Sequence, residues 1–194
     1  MDIVLSLLIG LGLAAACGFR VFVPLLIMSL ASRAAVGHLE LSAGFAWIGS
    51  TPALLAFAVA TVLEIGGYYI PWVDNLLDAV ATPTAILAGI LVTASAVGDM
   101  SPFLRWSLAI LAGGGTAAVF QGITATARQV SSFTTGGLGN PVVATVEAGG
   151  SAILSVLAIT LPILAILAVF GLLYFGGRRL LGRRRELEPS RSRL

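Results

Sequence analysis

Long blocks of Ala, Leu, Val and Ile, separated by short polar phrases, fill this chain from position 3 to about 176. The blocks lack the period-two alternation of barrel strands, and a segment inside lipid must satisfy its own backbone, so they predict membrane helices. Four of them open on a short polar residue followed by proline: Thr51-Pro52, Thr82-Pro83, Ser101-Pro102 and Asn140-Pro141. Proline at the first helical position sacrifices no hydrogen bond, and the side chain before it can accept from the free N–H groups of the first turn. Helices are therefore predicted over about 2–33, 52–70, 83–98, 102–129 and 141–176. The last of these is two spans or one bent span, so the pattern predicts an all-α polytopic membrane protein with five to six transmembrane helices.

Three phrases recur in the same order in the two halves. LIGLGLAA at 8–15 matches LAGGGTAA at 111–118, ATVLEIGG at 60–67 matches ATVEAGG at 144–150, and PTAILA at 83–88 matches PILAILA at 162–168. Ala/Leu/Gly-rich helices produce single matches by chance, so the order carries the reading: an internal duplication with repeat 1 at about 2–98 and repeat 2 at about 102–176. An odd number of spans per copy turns the second copy over. The expectation is a three-plus-three inverted repeat with broken helices, whose site lies at the repeat interface near the midplane. The domain plan is one transmembrane domain over 1–177 and a basic tail over 178–194.

Composition narrows the chemistry. With 58% hydrophobic residues, 10% charged and a mean hydropathy of +1.02, the chain has almost no room for a soluble domain. One cysteine, Cys17, excludes an intrachain disulfide or a cysteine metal cluster. LAAAC before Gly18 looks like a lipoprotein cleavage box, but the only charge ahead of Cys17 is Asp2 and the apolar pattern runs past the cut, so the segment is read as a retained helix. All eleven basic residues are arginine, and Arg178, Arg179, Arg183, Arg184, Arg185, Arg191 and Arg193 crowd the tail. The positive-inside rule then puts the C-terminus in the cytoplasm, where the tail anchors the topology and attracts anionic lipid headgroups. The pI near 9.2 comes from this tail and implies no nucleic acid.

Within the apolar blocks the costly residues are the informative ones. Glu64 and Glu147 occupy the repeated phrase, each before a Gly-Gly pair, Gly66-Gly67 and Gly149-Gly150, read as hinges or helix breaks whose freed carbonyls could help a carboxylate hold a cation or a proton. The competing reading makes both glutamates structural, bonding across helices. Arg20, between Gly18 and Pro24, is read as the one arginine deep in an apolar segment, paired with Glu64, Glu147 or an anionic substrate group. TTGGLGNP at 134–141, ending on Asn140, is either an anion-binding loop or a flexible connection with an Asn cap. Asp74 and Asp78 lie four apart in YYIPWVDNLLDAVATP, as a pathway mouth or as water-facing acids of an interfacial turn with Tyr68, Tyr69 and Trp72. Gln121, Thr124, Thr126 and Asp99 are further polar candidates, while His38 is read as solvated. The faces with Gly10 and Gly12 and with Gly113, Gly114 and Gly115 predict close helix packing. HExxH, GxSxG and paired histidines are absent, so no enzyme activity and no cofactor are expected, and the metal question stays open.

AACGFRVFVPLL at 15–26, EIGGYYIPWVDNLLD at 64–78, GDMSPFLRW at 98–106 and TTGGLGNPVVATVE at 134–147 resemble the bacterial membrane family called domain of unknown function 4126. The resemblance covers the chain to about residue 175 and implies a multi-pass protein of the bacterial cytoplasmic membrane, but it transfers no activity. Its signature phrases contain Arg20, Glu64, Asp74, Asp78, Asp99, Asn140 and Glu147. The function expected is a small transporter or channel for an ion or small solute, with Glu64 and Glu147 at its centre and Arg20 as counter-charge. The alternative is a lipid-handling or scaffold protein that holds anionic headgroups. For so small a chain, a homo-oligomer is expected.

Overall fold

The structure is a computed structural model that describes residues 3–98 and 100–187. Asp99, Arg191 and Arg193 lie outside the described residues, as do the side chains of Trp72, Arg179, Arg183, Arg184 and Arg185. The elements are α1 (Ile3–Phe19), α2 (Phe22–Ala34), a 3₁₀ turn (Ala43–Gly49), α3 (Thr51–Gly67), α4 (Pro71–Ala96), α5 (Pro102–Leu108), a π turn (Ala109–Gly114), α6 (Gly115–Thr135), α7 (Asn140–Thr160) and α8 (Pro162–Leu187). Among the described residues, three runs are long and apolar enough to cross a membrane: Leu76–Ala96, Pro102–Thr135 and Asn140–Thr160. The 3₁₀ turn and α3, bent by 61°, make a fourth if taken as one span.

Of the four predicted starts, Ser101-Pro102 is capped as the sequence implies, with Ser101 Oγ accepting from Leu104 N at 3.4 Å. At Thr51-Pro52 the helix starts where expected but the cap is Ser50, whose Oγ accepts from Ala53 N at 3.3 Å, and Thr51 is the first helical residue. Thr82-Pro83 is not a start. Pro71 opens α4 instead, and Pro83 lies inside the helix, where the Thr84 hydroxyl donates to Val80 O at 2.6 Å beside the missing bond. Asn140 is the first residue of α7 rather than its cap, and its side chain is used elsewhere.

The predicted helix over 2–33 is also two helices, and they reverse direction. Arg20 N still bonds Ala16 O at 3.1 Å as the last turn of α1, after which the chain bends and α2 sets off from Phe22. Two chain reversals can be followed from their partners. α1 runs past Ala158 at Gly12, Ser151 at Ala16 and Ala144 at Arg20, antiparallel to α7. α2 then runs back: Ser29 Oγ donates to Ile48 O at 2.7 Å, and beyond it His38 N reaches Ile159 O at 3.0 Å. The pair is thus a helical hairpin with Arg20 at its buried tip, and both its arms leave by the end that carries Ser42, Ala96 and Ile159.

α1 is the axis of the molecule and packs against α4, α6, α7 and α8. Glycines set these distances. A Cβ on Gly12 would meet Ala158 Cβ at 2.7 Å, and one on Gly18 would meet Ala117 O at 2.7 Å. Gly113 similarly faces Gly89 O at 2.6 Å. Along α7 the helix is unbroken through Gly149 and Gly150, neither of which has a neighbour within 4 Å of a notional Cβ. The break expected there is absent, because the helical bonds of α7 continue around both residues; Gly66-Gly67 instead closes α3. The true breaks are at Arg20 and at Leu161-Pro162, where Leu161 leaves the helical region with φ −135° and ψ 66°. α8 passes residue 177 without interruption, so the tail begins as helix.

Candidate functional site

The hairpin tip leaves the first N–H groups of α2 without a local cap, and Pro24 supplies none. Glu64, near the end of α3, fills the gap. Its two carboxylate oxygens accept from Val21 N at 2.7 Å and from Phe22 N at 3.0 Å. A carboxylate at a helix N-terminus also meets the positive end of the helix dipole, so hydrogen bonding and field act together.

Beside this turn lies a buried cluster of charges. Arg20, 1% exposed, donates through Nη2 to Ala144 O at 3.0 Å and pairs with Glu147 Oε2 at 3.1 Å. Arg128 on α6, 4% exposed, holds the same carboxylate by two bonds, Nε to Oε1 at 3.1 Å and Nη2 to Oε2. Its third nitrogen, Nη1, donates to Asp74 Oδ1 at 3.0 Å and stands 3.4 Å from Asp78 Oδ1. Asn140 Nδ2 completes Asp74 by donating to Oδ2 at 3.0 Å, and Asn140 is tied in turn to Ser132. Tyr68, the cap of α3, is held by both arginines: each guanidinium carbon is 3.8 Å from the ring centroid. The three side chains form a desolvated cation–π cluster.

Two cavities meet at this cluster. A polar vestibule of about 400 Å³ is lined by Tyr69, Asp74, Ser132 and Asn140 beneath the positive-φ glycines Gly136 and Gly137. An apolar cleft of about 800 Å³ runs between α3 and α4, with Glu64 and Gln121 at its inner wall. Tyr68 lines both.

A family profile matches residues 7–180. The chain belongs to the family defined by domain of unknown function 4126. No curated protein and no solved structure shows a significant match. The family assignment therefore brings no chemistry, and the residues must supply it.

Of the residues singled out from sequence, the structure brings Arg20, Glu64, Glu147, Asp74, Asp78 and Asn140 into one region. Asp74 is buried rather than water-facing, because α4 begins at Pro71 and its first turn faces Arg128; Asp78, one turn on, is half-exposed. Arg20 is not the one deep arginine. Arg128 is as central, and ATARQVSSF disguised it as the polar end of a helix. The signal was its register: Gln121, Thr124 and Arg128 fall on one helical face, and all three are buried, while Thr126 on the opposite face is exposed. Thr124 Oγ1 lies 3.4 Å from Gly18 O, joining that face to the hairpin. His38 is exposed. Among the described residues, no three His, Cys, Asp or Glu side chains converge as metal ligands.

Proposed function

We propose that this protein moves an ion or small solute across the bacterial cytoplasmic membrane, with the Arg20–Glu147–Arg128–Asp74 chain as the centre that opens and closes. The observation that carries this reading is that Tyr68, held by both arginines, lines the vestibule and the cleft alike. Rearranging the pairs on Glu147 would release the ring and join the two spaces. A cation or proton that takes the place of Arg128 on Glu147 leaves neither side uncompensated, because Arg128 keeps Asp74 and Asp78 as partners.

In this proposal α3, the α5–α6 run, α4, α7 and α8 are five spans, and the α1–α2 hairpin enters and leaves on one side. The arginine tail keeps the vestibule end cytoplasmic. Glu64 and Glu147 act on a common object, since one caps the residue after Arg20 and the other pairs with Arg20 itself. The five spans divide as two in the first half and three in the second, so the α1–α2 hairpin stands where a three-plus-three inverted repeat would carry a third span; a homo-oligomer is compatible with this arrangement. The lipid alternative, with Arg20 receiving an anionic headgroup, is less well supported, because Arg20 is buried against Glu147 and lines neither cavity.

The test is flux in proteoliposomes, screening protons, monovalent cations and anions with wild type beside the Glu64→Gln/Glu147→Gln double variant, each checked for folding by circular dichroism. Flux in wild type that is lost in the folded double variant is expected. Equal flux in both, or no flux of any ion by wild type, overturns the reading.

A further inference from the structure

We propose that the cleft between α3 and α4 is a binding site for a single-chain amphiphile with a cationic amine head, admitted sideways from the bilayer, with its chain along Leu63, Val73, Leu77 and Val80 and its head on Glu64. Shape comes first. The cleft holds about 800 Å³, within the range of specific small-molecule sites, and its walls are almost wholly apolar. It follows α4 from Val73 to Thr84, roughly 16 Å at 1.5 Å per residue, which suits an extended chain better than a compact solute. Leu63 and Val80 on its rim are exposed, so the opening faces outward where lipid surrounds a membrane helix bundle.

Charge selects the head. Glu64 lines the inner wall, and each of its oxygens accepts only one N–H, leaving lone pairs for a further donor. Behind it, two guanidiniums, Arg20 and Arg128, pair with three carboxylates, Glu147, Asp74 and Asp78, so with Glu64 the region holds four carboxylates to two guanidiniums. A cation at the inner end of the cleft offsets that excess, whereas a fatty acid or a phosphate headgroup adds to it. The site differs from the ion chain in its occupant and its access route, and it does not require that ions pass.

The experiment uses the full chain in phosphatidylcholine vesicles with two photoreactive probes, hexadecylamine and hexadecanoic acid, each bearing a terminal diazirine. Covalent labelling of α3 and α4 is mapped by peptide mass spectrometry. In wild type the amine should label these helices about tenfold more than the acid, the ratio expected of one charge-assisted hydrogen bond. Val80→Trp, which fills the cleft from its exposed rim without disturbing the core, should remove the labelling by both probes. Glu64→Gln should keep chain labelling and lose the amine preference. Equal labelling by amine and acid in wild type, or undiminished labelling of Val80→Trp, overturns the site. Labelling needs no flux, so failure here and failure of the transport reading are separately visible.

Discussion

The carboxylate of Glu64 holds the amide of Val21 at 2.7 Å across 43 positions of sequence, capping a helix that has no cap of its own. Glu64→Ala removes the acceptor for two amides at once, and buried unpaired groups cost about 1–3 kcal/mol each. Thermal unfolding in detergent should show a clear loss of stability for Glu64→Ala and a smaller one for Glu64→Gln, which retains an acceptor oxygen. Identical melting of Glu64→Ala and wild type would mean that the cap is not made.

Arg128 pairs with Glu147 and Asp74 at once. Arg128→Ala leaves Asp74 with Asn140 and Glu147 with Arg20 alone, and should destabilise by about 3–5 kcal/mol, the range for breaking one partner from a buried pair. In a double-mutant cycle, Arg128→Ala with Glu147→Ala should be milder than the sum of the single changes. Simple additivity in denaturant melts would contradict the pairing.

Gly18 and Gly149 should respond in opposite ways to alanine. At Gly18 the new methyl meets Ala117 O at 2.7 Å, so α1 and α6 must separate, at a cost of about 1–3 kcal/mol. At Gly149 it meets nothing within 4 Å, and alanine favours a helix interior by up to about 1 kcal/mol. Gly149→Ala should therefore melt no lower than wild type and retain flux; loss of flux would restore a hinge at that position.

Tyr68→Phe keeps a ring against the guanidiniums, and Tyr68→Ala removes it. If the ring separates vestibule from cleft, Tyr68→Ala should leak small solutes from loaded vesicles and Tyr68→Phe should not. A tight Tyr68→Ala protein would assign the partition to other residues.

The class of the fold was legible because hydrocarbon leaves so few choices, and the costly residues were legible for the same reason: Arg20, Glu64 and Glu147 stand out wherever their neighbours are Ala, Leu and Val. Asp74 and Arg128 were harder, because each sits near the end of a helix among polar residues, where burial depends on which face turns inward. Proline gave mixed guidance. Pro52 and Pro102 mark starts, while Pro83 is carried inside α4 because Pro71 had already opened that helix. Nor could the chain reversal at Arg20 be read from hydropathy, which records how apolar the flanks are and not which way they run. Gly-Gly was misleading at Gly149-Gly150, since a helix held on both sides by continuing bonds tolerates two glycines.

The hairpin tip also bears on the order of synthesis. Arg20 is synthesised well before its partners: the carbonyl it donates to belongs to Ala144, 124 positions later, and its carboxylate partner lies just beyond. Until α7 has been made, the tip carries a charge with no carboxylate from that helix to meet it in lipid. The pair with Glu147 therefore closes only once α7 exists, so the hairpin reaches its final seat against a helix made long after its own.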